Sequence, residues 1–281
     1  VKDLVKVTAY ASGPGGDNTY RPGEPVTLVF HFKIAPEWHI YWLNPGDSGQ
    51  STAVKVTFPV PAADADAATK SKLEGWTRGP SELPLPFAIP QPGGLVNYGY
   101  EGEAVLVTTV TPPTNATGTL TLTADAVYLV CKDICLPGHQ RLSIDLKPAL
   151  AGGASVEGEA KKVLDRWRER LPGDTEVSAE MKGEPVGERE WARLSASVPV
   201  KGTPAKAELF MLVSDEVEYR QVRLEVGGGG GGEAVIKMEA KLYTGTTAVP
   251  DTMRGLLVLT DAAGKRTGEW VNLKLPGGKG K

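Results

Sequence analysis

In Gln140-Arg141-Leu142-Ser143-Ile144-Asp145-Leu146, the apolar Leu142, Ile144 and Leu146 alternate with the polar Arg141, Ser143 and Asp145. A period of two is the mark of a strand with one face in a core and the other in water, as in an antiparallel sheet. The stretch 119–130 upstream also reads as a strand. Working outward, further strands are expected at 4–12, 25–34, 40–43, 54–58 and 104–111. In the second half they fall at 176–182, 191–198, 207–213, 220–226, 234–242, 253–261 and 269–275. Gly, Pro, Asn and Asp punctuate them. The fold class is all-β, and about seven short strands in the second half suggest an immunoglobulin-like sandwich.

Two stretches depart from this pattern. Residues 59–102 are rich in Pro and Gly (Pro80, Pro84, Pro86, Pro90, Pro92, Gly93, Gly94) and read as a long irregular insertion, functional or disordered. Residues 155–171 carry Val156, Ala160, Val163, Leu164, Trp167 and Leu171 at helical spacing. Ser155 is placed to cap that helix, Arg166, Arg168 and Arg170 suit its C-terminal end, and Pro172-Gly173 ends it. The glycine run 227–232 is a flexible hairpin connection rather than a phosphate loop, because no Lys-Ser/Thr pair or helix pattern follows it.

Composition narrows the function classes. Lys and Arg number 31 against 34 Asp and Glu, a formal charge of −3, which excludes a nucleic-acid-binding surface. Apolar runs such as Val26-Thr27-Leu28-Val29-Phe30 are too short to span a bilayer. The chain starts at Val1 with no visible signal peptide, which fits a processed N-terminus and export to an oxidising compartment. With 281 residues the chain buries a core without disulfide help, and two domains are expected.

The chemistry concentrates in Tyr128-Leu129-Val130-Cys131-Lys132-Asp133-Ile134-Cys135-Leu136-Pro137-Gly138, which holds both cysteines of the chain. A loop carrying both is expected between strands 119–130 and 140–146. A staple across so short a gap removes little unfolded-state entropy, so a purely stabilising role is weak. Three readings stay open on spacing: an inert disulfide, a redox couple, and a soft-metal clamp of Cys131, Cys135 and His139 for Cu(I) or Zn. Lys132 would favour a thiolate and Asp133 would oppose it. His31 and His39 are most simply core residues, and Trp38-His39-Ile40-Tyr41-Trp42 is an aromatic cluster.

Three segments, in order, resemble a known family: residues 37–49 (Glu-Trp-His-Ile-Tyr-Trp-Leu-Asn-Pro-Gly-Asp-Ser-Gly), residues 95–103 (Leu-Val-Asn-Tyr-Gly-Tyr-Glu-Gly-Glu) and residues 130–137. They are similar to the periplasmic N-terminal region of the thiol:disulfide interchange protein DsbD, in its ScsB-like branch, associated with suppression of copper sensitivity. The resemblance implies an immunoglobulin-like redox domain at 1–150; the helical spacing adds a linker helix at 151–173, and the second β-sandwich at 174–281 rests mainly on strand count. It implies a catalytic pair, Cys131 and Cys135, with Cys135 attacking and Cys131 resolving, and no cofactor beyond that redox-active disulfide. It implies a cap at Asn97, Tyr98 and Gly99, with Trp38 and Tyr41 packed beside the site. A membrane-embedded thiol reductase domain would donate electrons, and periplasmic thioredoxin-like or disulfide isomerase proteins would accept them. Set against the family's full pattern, these 281 residues correspond to neither the multi-span membrane domain nor the C-terminal thioredoxin-like domain, as expected of an excised soluble region or a stand-alone relative.

Overall fold

The computed structural model describes residues 1, 3–60, 66–67, 74–150, 158–227, 232–246 and 248–278. The glycine run 227–232 and the cap candidate Ser155 lie wholly or partly outside them. The chain divides into two compact units, Val1–Leu171 and Pro172–Lys281.

The first unit holds β1 (Val5–Gly13), β2 (Gly16–Asp17), β3 (Thr19–Tyr20), β4 (Val26–Ile34), β5 (His39–Gly46), β6 (Ala53–Thr57), β7 (Thr77–Arg78), β8 (Phe87–Pro90), β9 (Val96–Glu101), β10 (Glu103–Thr111), β11 (Leu120–Cys131), β12 (Cys135–Pro148) and helix α1 (Glu159–Arg168). One sheet runs β2-β1-β4-β10-β7. The other runs β3-β12-β11-β5-β9-β8, with β6 also on β11. The free side of β11 is therefore shared: β6 lies along residues 123–127, and β5 meets it only at Cys131.

Alternation decides what each strand buries. In β4, Leu28, Phe30 and Phe32 are buried on one face, and the Phe32 ring meets Tyr128 edge-on at 6.1 Å. The other face of this sheet is not in water. Val29, Val105 and Val107 pack against Val163 and Trp167 of α1. That second cover explains why β4 reads as an almost continuous apolar run. The helix start is held from outside the helix: Ala160 N–H donates to both Asp17 carboxylate oxygens at 3.2 Å. Gly158 sits at the N-cap, where a Cβ would strike that carboxylate. Gln140 ties β12 to β1, accepting from Val7 N–H and donating to Val5 O.

Among its described residues, the expected irregular stretch contains three strands, β7, β8 and β9. Pro80, Pro84, Pro86, Pro90 and Pro92 fall between or at the ends of strands, and Tyr100 anchors the segment by donating to Pro84 O at 2.6 Å.

The second unit packs two four-stranded sheets around one core. One sheet orders β13 (Glu176–Glu180), β20 (Arg266–Lys274), β19 (Thr252–Thr260) and β16 (Lys206–Met211). The other orders β14 (Lys182–Gly183), β15 (Ala192–Pro199), β18 (Glu233–Leu242) and β17 (Val217–Val226). Leu194, Val198, Ile236, Leu257, Val271 and Leu273 fill the space between them. All seven strands expected in this half are present, each within three residues at either end.

Two buried histidines give the first unit an acid limit. Burial lowers the pKa of both His31 and His39, and the nearby Glu103 and Glu101 carboxylates do not offset it. The unfolded chain then takes up protons near pH 6.5 while the folded chain resists. Stability is present above that pH and is lost as pH falls below it. Paired carboxylates such as Asp125 and Asp165, whose pKa values are lowered, act only below about pH 4. In urea titrations of the oxidised protein, the midpoint of the first unit is expected to fall between about pH 6.5 and pH 5. A midpoint constant over that range would contradict this account.

Candidate functional site

The cysteines face each other across the β11–β12 hairpin. Cys131 ends β11, Cys135 begins β12, and they are register partners with Cα atoms 4.2 Å apart. Their sulfurs are bonded at 2.02 Å. The expected loop is therefore shorter than the sequence suggests: only Lys132, Asp133 and Ile134 separate the strands, and Lys132 N–H donates to Ile134 O at 3.1 Å. Pro137 and Gly138 belong to β12. That strand borders β3 only at Lys147 and Pro148, so Pro137 removes no ladder bond from a neighbour on that side. Gly138 lets the Tyr128 ring lie across the hairpin, in the space a Cβ would fill.

The two sulfurs have different surroundings. Cys131 is 2 % exposed, whereas Cys135 is open to solvent beside Ile134, itself 61 % exposed. Lys132, within the loop that the disulfide closes, pairs through its side chain with Glu37 at 2.9 Å, and that carboxylate holds the ammonium charged. Its charge is thus answered by Glu37 rather than left to a thiolate.

The neighbouring strands supply a polar floor. His39 is the register partner of Cys131 on one side and of Glu101 on the other. Two residues on, Tyr41 pairs with Gly99, which pairs with Phe87. By the pleat, Cys135, Cys131, His39, Tyr41, Gly99 and Asn97 share one face. The Tyr41 hydroxyl is 3.8 Å from Cys135 Sγ and 3.3 Å from His39 Nε2, and accepts from Asn97 Nδ2 at 3.4 Å. Asn97 is in turn fixed by Ser48, whose N–H and hydroxyl both donate to its Oδ1. Tyr41, His39 and Asn97 are all buried. Burial raises the Tyr41 pKa, so the phenol stays protonated at neutral pH.

Gly49 closes over this floor. It has φ +111°, and a Cβ there would lie 2.3 Å from the Tyr41 ring. Gly49→Ala is therefore expected to lower the thermal midpoint and displace the Tyr41 hydroxyl, at about 1–3 kcal/mol. Gly94→Ala, with φ +80° and open space around its Cβ position, carries only the backbone strain and serves as the control. Equal losses in the two variants would contradict the contact.

The structure thus brings Cys131, Cys135, Tyr41, Asn97 and the backbone of Gly99 together. It does not bring in Tyr98, which lies on β9 with the opposite pleat phase to Asn97. Trp38 is half-buried in the turn before β5. His139, the third residue of the metal alternative, is four residues along an extended strand from Cys135, about 13 Å away, and its Nε2 bonds Asp125 at 2.8 Å. The clamp Cys131–Cys135–His139 is not formed, and among the described residues no group of three or more His, Cys, Asp or Glu could hold a metal ion. The residues that sequence reasoning missed are His39 and Ser48. The available signal was the i, i+2 spacing of His39 and Tyr41, which puts both on one strand face.

Residues 16–147 match the family described as thiol:disulfide interchange protein DsbD, N-terminal. That region belongs to the DsbD N-terminal family. Its paired cysteines make it a thiol–disulfide exchange module. Across 99 % of this chain the fold is similar to 95 % of the N-terminal periplasmic domain of ScsB from Proteus mirabilis, at 17 % identity and a TM-score of 0.62. The likeness spans both units and is one of fold, the two-unit, immunoglobulin-like β architecture expected of the chain. The reduced DsbD N-terminal domain of Neisseria meningitidis matches 52 % of this chain over 88 % of its own length, at 13 % identity and a TM-score of 0.31. No curated protein matches the chain by sequence. Among the described residues, no helix is long and apolar enough to cross a membrane.

Proposed function

We propose that this chain is a periplasmic protein-disulfide reductase module of the DsbD N-terminal type. Its Cys131/Cys135 dithiol receives electrons from a membrane-embedded thiol reductase and passes them to thioredoxin-like or disulfide isomerase proteins. One observation carries the reading: an in-register disulfide at a hairpin tip, with one sulfur exposed and the other buried. Exchange needs one accessible thiolate, so Cys135 is the attacking sulfur.

The electron balance is simple. The Cys135 thiolate attacks one sulfur of the partner's disulfide, forming a mixed disulfide and releasing the other partner sulfur as a thiolate. Cys131, also as a thiolate, then attacks Cys135 Sγ. The intramolecular disulfide closes, the second partner sulfur leaves, and two electrons have moved to the partner. A dithiol on the membrane reductase reverses the sequence and restores the reduced pair. Tyr41 and Asn97, with the backbone of Gly99, shield the pair from beneath and leave Cys135 reachable from solvent. Reduced full-length Cys131→Ser, mixed with periplasmic extract, is expected to accumulate mixed disulfides that dithiothreitol releases. Their absence would refute the reading.

A further inference from the structure

Exchange requires Cys135 to lose a proton, and the polar floor beside it offers a place for that proton. We propose that Tyr41 and His39 form a proton relay for Cys135, with His39 as the acceptor. The inference rests on the reading that the pair is reduced in the working cycle.

Hydrogen-bond accounting at the Tyr41 oxygen leads there. Asn97 turns its Oδ1 to Ser48, so only its amide hydrogens face Tyr41, at 3.4 Å. Asn97 must therefore donate, and the Tyr41 hydrogen can go only to His39 Nε2 at 3.3 Å or Cys135 Sγ at 3.8 Å. In the disulfide state the sulfur carries no proton, and a neutral imidazole is the better acceptor. Once a dithiol of the reductase has broken the S–S bond and left Cys135 as a thiol, its S–H bond breaks as a bond forms to the Tyr41 oxygen. The original Tyr41 O–H bond breaks as an N–H bond forms at His39 Nε2. The products are a thiolate at Cys135 and an imidazolium at His39, and no charge leaves the site.

The surroundings suit this transfer. His39 and Tyr41 are 4 % and 1 % exposed, so water does not compete for the bond between them, although Cys135 itself meets solvent. Burial keeps the imidazole neutral in the disulfide state and the phenol protonated; it opposes the imidazolium, which only the Cys135 thiolate of the reduced pair and the Glu101 carboxylate favour. The charged and titratable groups facing His39 are few. Glu101, its partner on β9, favours the imidazolium; Cys131 faces it from β11 and Tyr41 from its own strand. At the hairpin, Lys132 and Glu37 cancel each other.

The test uses the full chain with Cys131→Ser, leaving Cys135 as the only thiol. Its iodoacetamide alkylation rate is followed against pH, alone and with His39→Gln or Tyr41→Phe added. The relay predicts a loss of about ten-fold at neutral pH in either variant, with the profile displaced to higher pH. Unchanged profiles overturn it. A second measurement needs no substitution at the relay: the imidazole carbon shift of His39 in the wild-type chain should change from neutral to imidazolium on reduction. A neutral imidazole in both states overturns the relay even if the variants misfold. A Cys135 that depends on His39 but never forms a mixed disulfide would sink the exchange reading and leave the relay. Mixed-disulfide formation with unaltered profiles would do the reverse.

Discussion

Cys135→Ser is expected to abolish disulfide exchange, lowering the rate with a protein disulfide by at least about a thousand-fold, as loss of a nucleophile does. Cys131→Ser is expected to behave differently. It should complete the first attack at near-normal rate and stall as the mixed disulfide. The asymmetry follows from burial: Cys131 is 2 % exposed beneath the hairpin, and Cys135 meets solvent. An incoming disulfide reaches Cys135 without any strand moving, whereas reaching Cys131 requires β11, β12 and β5 to part. Single-turnover rates for the two variants decide the matter. Equal loss in both, or trapping through Cys131, would refute the assignment of roles.

Trp167→Ala is expected to carry the largest stability cost among single helix substitutions, about 3–5 kcal/mol for the first unit. The indole is 4 % exposed and packs with Val163 on Val29, Val105 and Val107. Truncation leaves a cavity between helix and sheet that a β-sheet backbone cannot collapse to fill. It also removes the face beneath the Arg170 guanidinium, which lies 4.8 Å from the ring centroid. Trp167→Phe should cost much less, because the indole N–H is buried without a hydrogen-bond partner and its removal leaves nothing unsatisfied. Urea unfolding followed by a probe in the first unit measures both. A loss under about 1 kcal/mol for Trp167→Ala would mean that α1 is an attached linker rather than a layer of this unit.

Much of this architecture is legible in the sequence, and the exceptions have physical causes. The alternation at 140–146 places Ile144 and Leu146 in the core as expected. It could not show that the strand begins at Cys135, because Pro137 and Gly138 look like turn residues until an open sheet edge and the Tyr128 ring account for them. Strands β7 to β9 were hidden by prolines that fall between and at the ends of short strands. In the site, the cysteine pair was legible from four-residue spacing, but the division into a buried and an exposed sulfur depends on β5 abutting β11 at Cys131 alone. The segment 97–99 was singled out by resemblance. Its pleat phase turns Asn97, not Tyr98, toward Tyr41, and phase is fixed by pairing with β5 and β8 rather than by composition. His39 looked like a core aromatic because burial and chemistry coincide there.

The central claim is that Cys131–Cys135 is a working redox couple and not a staple. Its reduction potential tests that most directly, by equilibrating the full chain with glutathione or dithiothreitol buffers and quantifying free thiols. A solvent-exposed, exchanging disulfide is expected to lie above about −300 mV, within reach of biological thiol donors. A value well below about −300 mV, typical of inert structural disulfides, would contradict the account.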